Sequence, residues 1–230
     1  MTYSLLAVDE KTGAFVAAAA TGSLCVGGWV IRGRLGAGLV ASQGTAPSTL
    51  WRDDALRRLE TDTAEVTVAA VTGRDTGRAH RQLAVLSKDG LGAGFTGNAA
   101  VPYAAHVVED GFVASGNMLS GPEVLAALAE RWLSSAADPV DRAVEALEAA
   151  ERCGGDARGL MSAALLVLRP DAAPLDLRID RSDRPLQDLR ALLEAARTVP
   201  YADWLGVVPT VSDPMRAPDQ AHKLASDAAE

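Results

Sequence analysis

The sequence predicts an α+β sandwich, with two antiparallel sheets inside and helices outside. Three observations carry that expectation. Short β-favouring runs come in pairs around glycine-containing turns, which is how hairpins read. Amphipathic helical stretches arrive in blocks, which places them in layers outside the sheets. The core is also poor in rings: hydrophobic residues make up 48% of the 230 residues and aromatics only 4%. Ala, Val and Leu must therefore fill it, and these let sheets and helices approach closely.

The elements follow in order. Residues 3–8 and 15–20 alternate as strands around DEKTG, where Gly13 supplies the permissive turn position. Residues 26–31 and 36–42 read as a second strand pair around RGRLG. Residues 50–59 (LWRDDALRRL) have helical spacing, with Leu50, Leu56 and Leu59 on one side. Residues 63–72 fit either strand, by their β-branched residues, or helix, by their acidic start and alanines. Residues 82–87 and 91–95 flank KDG, and 104–108 and 112–115 flank EDG, each a hairpin signal. The period then changes to 3.6 over 122–134 and 139–153, each with a proline near its first turn, where the missing N–H costs nothing. Strands return at 162–168 and 175–179, and 186–197 (LQDLRALLEAAR) is a helix. One domain over 1–197 is followed by a tail over 198–230 rich in prolines, small residues and charges. That tail is expected to be loosely ordered, with one anchor near 201–208.

Composition narrows the function classes. A net charge of −8 and a pI near 4.9 argue against nucleic acid as a partner, since phosphate binding needs a basic face. Two cysteines, Cys25 and Cys153, supply neither a disulfide framework nor zinc spacing. With Asp9 and Glu10 where a signal peptide would carry a basic region, the sequence reads as cytoplasmic. The uncharged stretch over residues 12–31 has the length of a membrane span, but four glycines and a TGS turn divide it, so two buried strands are expected and no membrane partner.

Among motifs, GAGFTG (Gly92–Gly97) matches the dinucleotide fingerprint GxGxxG, but it follows a hairpin turn and leads into VPYAAH rather than a helix. It reads as glycine-rich strand and turn, with no cofactor implied. His80, His106 and His222 are scattered, so no metal site is expected. Thr2 offers another chemistry. Removal of Met1 would free its α-amine, with an ordinary pKa near 8, to act as base for its own hydroxyl. The simpler reading is that Thr2 only opens the first strand.

The set MTYSLLAVDEKTG, SLCVGG, GAGLVASQG, FTGNAAVPYAAH, GNMLSGPEV, GGDARGLMSAALLV and LDLRID resembles a widespread bacterial family, domain of unknown function 1028, placed with the N-terminal-nucleophile (Ntn) hydrolase-like proteins. The resemblance spans Thr2 to about Arg197. It implies a four-layer αββα fold and a candidate site. By that resemblance Thr2 is the nucleophile, Asn117 in GNML an oxyanion donor, and His106 an acid/base or substrate contact. Gln43, Asp156 and Arg158 are candidates to bind substrate. Three departures stand out: alanines in NAAVP where a cysteine is usual, Met161 where a glutamine is usual, and Cys25 where a small residue is usual, expected as a buried small hydrophobe. The function this implies is hydrolysis of a non-peptide amide bond in a small-molecule substrate by Thr2, without cofactor. The alternatives are a non-catalytic metabolite-binding or scaffold protein of the same fold, and hydrolysis through His106 and a carboxylate. The alanine-rich helices over 122–153 imply a homo-oligomer.

Overall fold

In the computed structural model, which describes residues 2–155 and 158–218, the first hairpin joins β1 (Thr2–Asp9) to β2 (Ala14–Thr21) in an unbroken antiparallel register from Thr2↔Thr21 to Asp9↔Ala14. A four-residue helix, α1 (Val26–Trp29), leads into β3 (Ile31–Arg34) and β4 (Gly38–Gly44). Helices α2 (Thr49–Arg58) and α3 (Ala64–Gly73) follow, then the hairpin of β5 (Arg81–Ser87) and β6 (Gly92–Thr96). A third hairpin, β7 (Ala105–Glu109) with β8 (Phe112–Asn117), precedes α4 (Glu123–Ser134) and α5 (Pro139–Arg152). Strands β9 (Ser162–Leu168) and β10 (Leu175–Ile179), then α6 (Pro185–Ala196) and α7 (Tyr201–Val207), complete the order.

Two antiparallel sheets result. One has six strands in the order β10-β9-β2-β1-β8-β7, the other four in the order β3-β4-β5-β6. The period-2 alternation sorts each strand between two cores. Odd residues of β1 (Tyr3, Leu5, Ala7) pack against α4, α5 and α6, in a cluster with Val124, Leu128, Leu147 and Leu189. Even residues enter the space between the sheets, where Leu6 meets Leu39, Leu86, Val113 and Leu166. Helices α2 and α3 cover the outer face of the second sheet through Trp51, Ala55, Leu59, Val68 and Val71. Helix, sheet, sheet, helix is the expected four-layer αββα sandwich.

The KDG and EDG turns behave as read: Gly90 at φ 79° and Gly111 at φ 67° occupy the left-handed region that side chains disfavour. GAGFTG is a strand, and its Gly94 is required because a Cβ there would lie 2.4 Å from Cδ2 of His106. The ambiguous stretch 63–72 is helical, with the Thr63 hydroxyl accepting from the Val66 N–H as an N-cap.

Four expectations change. Residues 26–31 were expected as strand, but 26–29 form α1. Val26 and Val30 are four apart and both plug the inter-sheet core, and Cys25 at φ 60° breaks the extended run. A Cβ at Gly27 would meet Ala164 at 2.8 Å, so only glycine lets α1 sit this close to β9. Cys25 itself is half-buried, not a buried small hydrophobe, because its place is the turn that starts α1. On α2 the buried face is Trp51, Ala55 and Leu59, at i, i+4 and i+8, while Leu50 points outward at 78% exposure. Finally, the uncharged stretch 12–31 is one strand and a short helix rather than two strands, and no helix among the described residues is long and apolar enough to cross a membrane. Beyond residue 197, α7 has no buried residue, while Thr210 is buried and the Ser212 N–H donates to the Pro170 carbonyl at 2.8 Å.

Candidate functional site

Along the inter-sheet face, four strands pass from apolar to polar toward the same end of the sandwich. In β1 the series is Leu6, Ser4, Thr2; in β4 it is Leu39, Ala41, Gln43. In β5 it is Leu86, Ala84, Gln82, and in β8 it is Val113, Ser115, Asn117. The registers bring the polar ends together: Thr2 faces Thr21 on one side and Asn117 on the other, and Gln43 faces Gln82. Buried polar groups are costly unless hydrogen-bonded, so this end must be a network.

It is one. Gln43 accepts from the Ser4 hydroxyl at 2.8 Å and donates through Nε2 to the Thr2 carbonyl at 3.4 Å and to Oε1 of Gln82 at 3.2 Å. Asn117 donates through Nδ2 to the same Gln82 oxygen at 2.8 Å. Gln82 Nε2 in turn donates to the carbonyls of Gly116 at 2.7 Å and Ala105 at 3.2 Å and to the Thr96 hydroxyl at 3.1 Å. Ser4 and Ser115 share a hydroxyl contact at 3.1 Å. Gln43, Gln82 and Asn117 are at most 1% exposed. The two sheets are thus cross-linked by neutral amides.

Thr2 lies where this network meets solvent. Its Oγ1 is 3.0 Å from Oγ1 of Thr21, and both residues line a cleft of about 550 Å³. Ser23, Gln43, Thr45 and Arg158 add polar groups, and Leu24, Val26, Trp29, Val30, Pro47 and Met118 form apolar walls. Helix α1 supplies Val26 and Trp29 to that wall and its C-cap supplies Val30, and the arginines beside it hold its carbonyls. Arg32 donates to the carbonyls of Gly27 at 2.6 Å and Gly28 at 3.0 Å, and Arg52 to those of Gly28 at 2.8 Å and Trp29 at 3.2 Å. These bonds satisfy the open carbonyl end of a helix too short to hold itself. Burial first, then the Arg52 charge, lowers the Arg32 pKa.

Of the residues singled out from sequence, Thr2, Gln43 and Arg158 line the cleft, and Asn117 sits beside Thr2 behind it. His106 stands apart on edge strand β7, with Nδ1 2.9 Å from Oγ1 of Thr96, and reaches Asn117 only through Thr96 and Gln82 in turn. Among the described residues no carboxylate bonds its ring. Asp156 falls outside the described residues. Sequence reasoning missed Gln82, Ser4, Ser115 and Thr21, although a lone amide in the apolar run QLAVLS was a signal, because it must find a partner once buried. Among the described residues no cluster of three His, Cys, Asp or Glu is placed to hold a metal ion.

Burial lowers the His106 pKa below its ordinary 6.5. The unfolded chain therefore binds more protons here than the folded one as pH falls, so stability should drop through about pH 6.5 and level off below the folded value. Urea midpoints measured across that range should show a flatter dependence for His106→Gln than for the parent protein.

A family profile matches residues 2–189, that of the family of unknown function DUF1028. A crystal structure of a DUF1028 protein from Silicibacter pomeroyi superposes with TM-score 0.91 at 47% identity, over 95% of this chain and 99% of that one. More distant are eukaryotic HslV from Trypanosoma brucei, with TM-score 0.45 and 16% identity over 73% and 99% of the two chains, and Anbu, an ancestral beta-subunit, from Yersinia bercovieri, with 0.38 and 13% over 87% and 97%. A comparison with curated proteins gave no match.

Proposed function

We propose that this chain, which belongs to the DUF1028 family, is an Ntn-type hydrolase that cleaves an amide bond of a small molecule with Thr2 as nucleophile. The observation that carries the reading is the position of Thr2: first residue of a central strand, cross-linked on both sides, with its hydroxyl at the wall of the cleft. A nucleophile needs a base, and no lysine, histidine or carboxylate lines the cleft among the described residues. Lys11 and Lys88 sit in turns at the far end of the sandwich. The α-amine of Thr2, freed when everything ahead of it is removed, fills that role.

In this reading the neutral amine takes the proton from Oγ1 as the oxygen bonds to the amide carbon. Asn117, whose Nδ2 has one hydrogen on Gln82 and a second to give, receives the developing oxyanion with backbone N–H groups of the cleft. The C–N bond breaks as the amine returns the proton to the leaving nitrogen. Water then attacks the ester on Thr2, releasing the carboxylic acid and restoring the hydroxyl. The cleft volume lies within the range of roughly 300–1,000 Å³ usual for small-molecule pockets. A homo-oligomer built through the outer helices belongs to the same reading, and light scattering tests it.

The test is covalent. A β-lactone electrophile incubated with the protein should acylate Thr2, and peptide mass spectrometry should place the adduct on a Thr2 peptide that begins at Thr2. Amide hydrolysis by protein that retains Met1 in full, or lactone adducts only elsewhere, would sink the mechanism. A second reading, a metabolite-binding protein without catalysis, is favoured by the amides' mutual hydrogen bonds, which already account for their burial.

A further inference from the structure

Helix α1 is fastened beside Thr2 from both sheets. Its first N–H, that of Val26, donates to the Ser162 hydroxyl at 3.1 Å, and Ser162 pairs with Thr21, whose own hydroxyl lies 3.0 Å from that of Thr2. Past its other end the Val30 carbonyl accepts from the Ser42 N–H at 3.1 Å, one residue before the Gln43 that donates to the Thr2 carbonyl. Strand β9 belongs to one sheet and β4 to the other, so α1 closes the end of the sandwich at Thr2. Val26 and Val30 plug the inter-sheet core, but Trp29 and Leu24 do not: each is half exposed, at 51% and 50%, on the cleft. A plug alone needs neither. Among the described residues, the two that stand at positive φ without being glycine are Cys25 at 60° and Met118 at 57°. Cys25 opens α1, and Met118 lines the cleft directly after Asn117. Such backbone strain persists where the surroundings demand it, and it gathers at ligand sites.

We infer that the α1 wall is the subsite for an apolar part of the substrate, an alkyl group on the carbonyl or on the nitrogen of the amide. From Val26 to Val30 the backbone rises about 6 Å at roughly 1.5 Å per residue, the span of a chain of about four to six carbons. The chain lies against Trp29, Leu24 and Met118. The bonds from Arg32 and Arg52 to the α1 carbonyls hold this wall in place before anything binds, so little order is lost when the chain meets it. The placing of the amide at Thr2 rests on the hydrolase reading above; the apolar subsite does not.

Binding separates the two. Thr2→Ala protein is titrated calorimetrically with N-methylbutanamide and N-methylhexanamide, and with N-butylacetamide and N-hexylacetamide. In one pair or the other, two added methylenes should tighten binding about tenfold, at roughly three- to fourfold for each CH₂ buried. The pair that responds tells which side of the amide meets α1. Trp29→Ala in the same background should cut the gain to about threefold or less, and Trp29→Phe should restore part of it. Trp29 is half exposed and its carbonyl keeps its bond from Arg52, so the fold should stand, with an unchanged urea midpoint. In an NMR titration the indole N–H signal that Trp29→Phe removes should shift with the six-carbon compound. That of Trp204, similarly exposed on α7 and outside the cleft, should not. No gain with chain length in either pair, a gain that survives Trp29→Ala, equal shifts of both indoles, or no binding at millimolar concentration would each overturn the inference. So would an oligomer that comes apart in Trp29→Ala, which would give the lip to a second copy. Unaltered protein is assayed in parallel for amine release. Chain-dependent binding without release defeats the hydrolase reading and leaves the apolar subsite standing. Release that ignores chain length does the reverse.

Discussion

Replacing Thr2 with alanine is expected to lower amide hydrolysis by about a thousandfold or more in kcat/KM, since it removes the attacking oxygen itself. The fold should survive, because the side chain's hydroxyl contact is with Thr21 at 3.0 Å, and one such bond contributes about 1 kcal/mol net. Thr2→Ser keeps an oxygen on Cβ and should retain a measurable fraction of the rate. The rate should also rise with pH through the α-amine ionisation near 8, where the base becomes neutral. Steady-state rates of amide hydrolysis, with circular dichroism to check folding, decide the matter. A Thr2→Ala protein that keeps its rate would leave Thr2 as a strand residue and nothing more.

The largest effect on stability is expected at Gln82. Gln82→Leu keeps volume but removes the Oε1 acceptor shared by Nδ2 of Asn117 and Nε2 of Gln43, leaving the latter only the Thr2 carbonyl, and takes a donor from the carbonyls of Gly116 and Ala105. The site is fully buried, so water is not at hand to replace the bonds. The loss should be about 3 kcal/mol or more, larger than a single deleted hydrogen bond because one residue serves both sheets. Urea unfolding should show a lower midpoint with an unchanged slope. A loss below about 1 kcal/mol would mean that the network is dispensable to the sandwich. Because Gln43 holds the Thr2 carbonyl and Gln82 holds Gln43, the same variant should also displace Thr2 and slow hydrolysis.

Much of this protein is legible in its sequence. The hairpins at DEKTG, KDG and EDG, the helices over 122–134, 139–153 and 186–197, and the strands at 162–168 and 175–179 all follow from periodicity and turn chemistry. These are local properties: a period of 2 or 3.6 is set by the backbone itself, and a left-handed turn position asks for glycine wherever it falls. Thr2 offered itself as a nucleophile by its place behind Met1, while Gln43, Asn117, His106 and Arg158 came from the resemblance of motifs, which marks residues without saying which of them meet. Only the tertiary structure decided that Thr2, Gln43 and Arg158 share a cleft, that Gln82 links Gln43 to Asn117, and that His106 lies on an edge strand away from them. It also turned the apolar residues 26–29 into a helix, because the end of the sandwich needed Val26 and Val30 on one side. Alternation fixes which face a residue takes. Register between strands distant in sequence fixes which residues stand together, and that is a property of the packed sheets, not of any one of them.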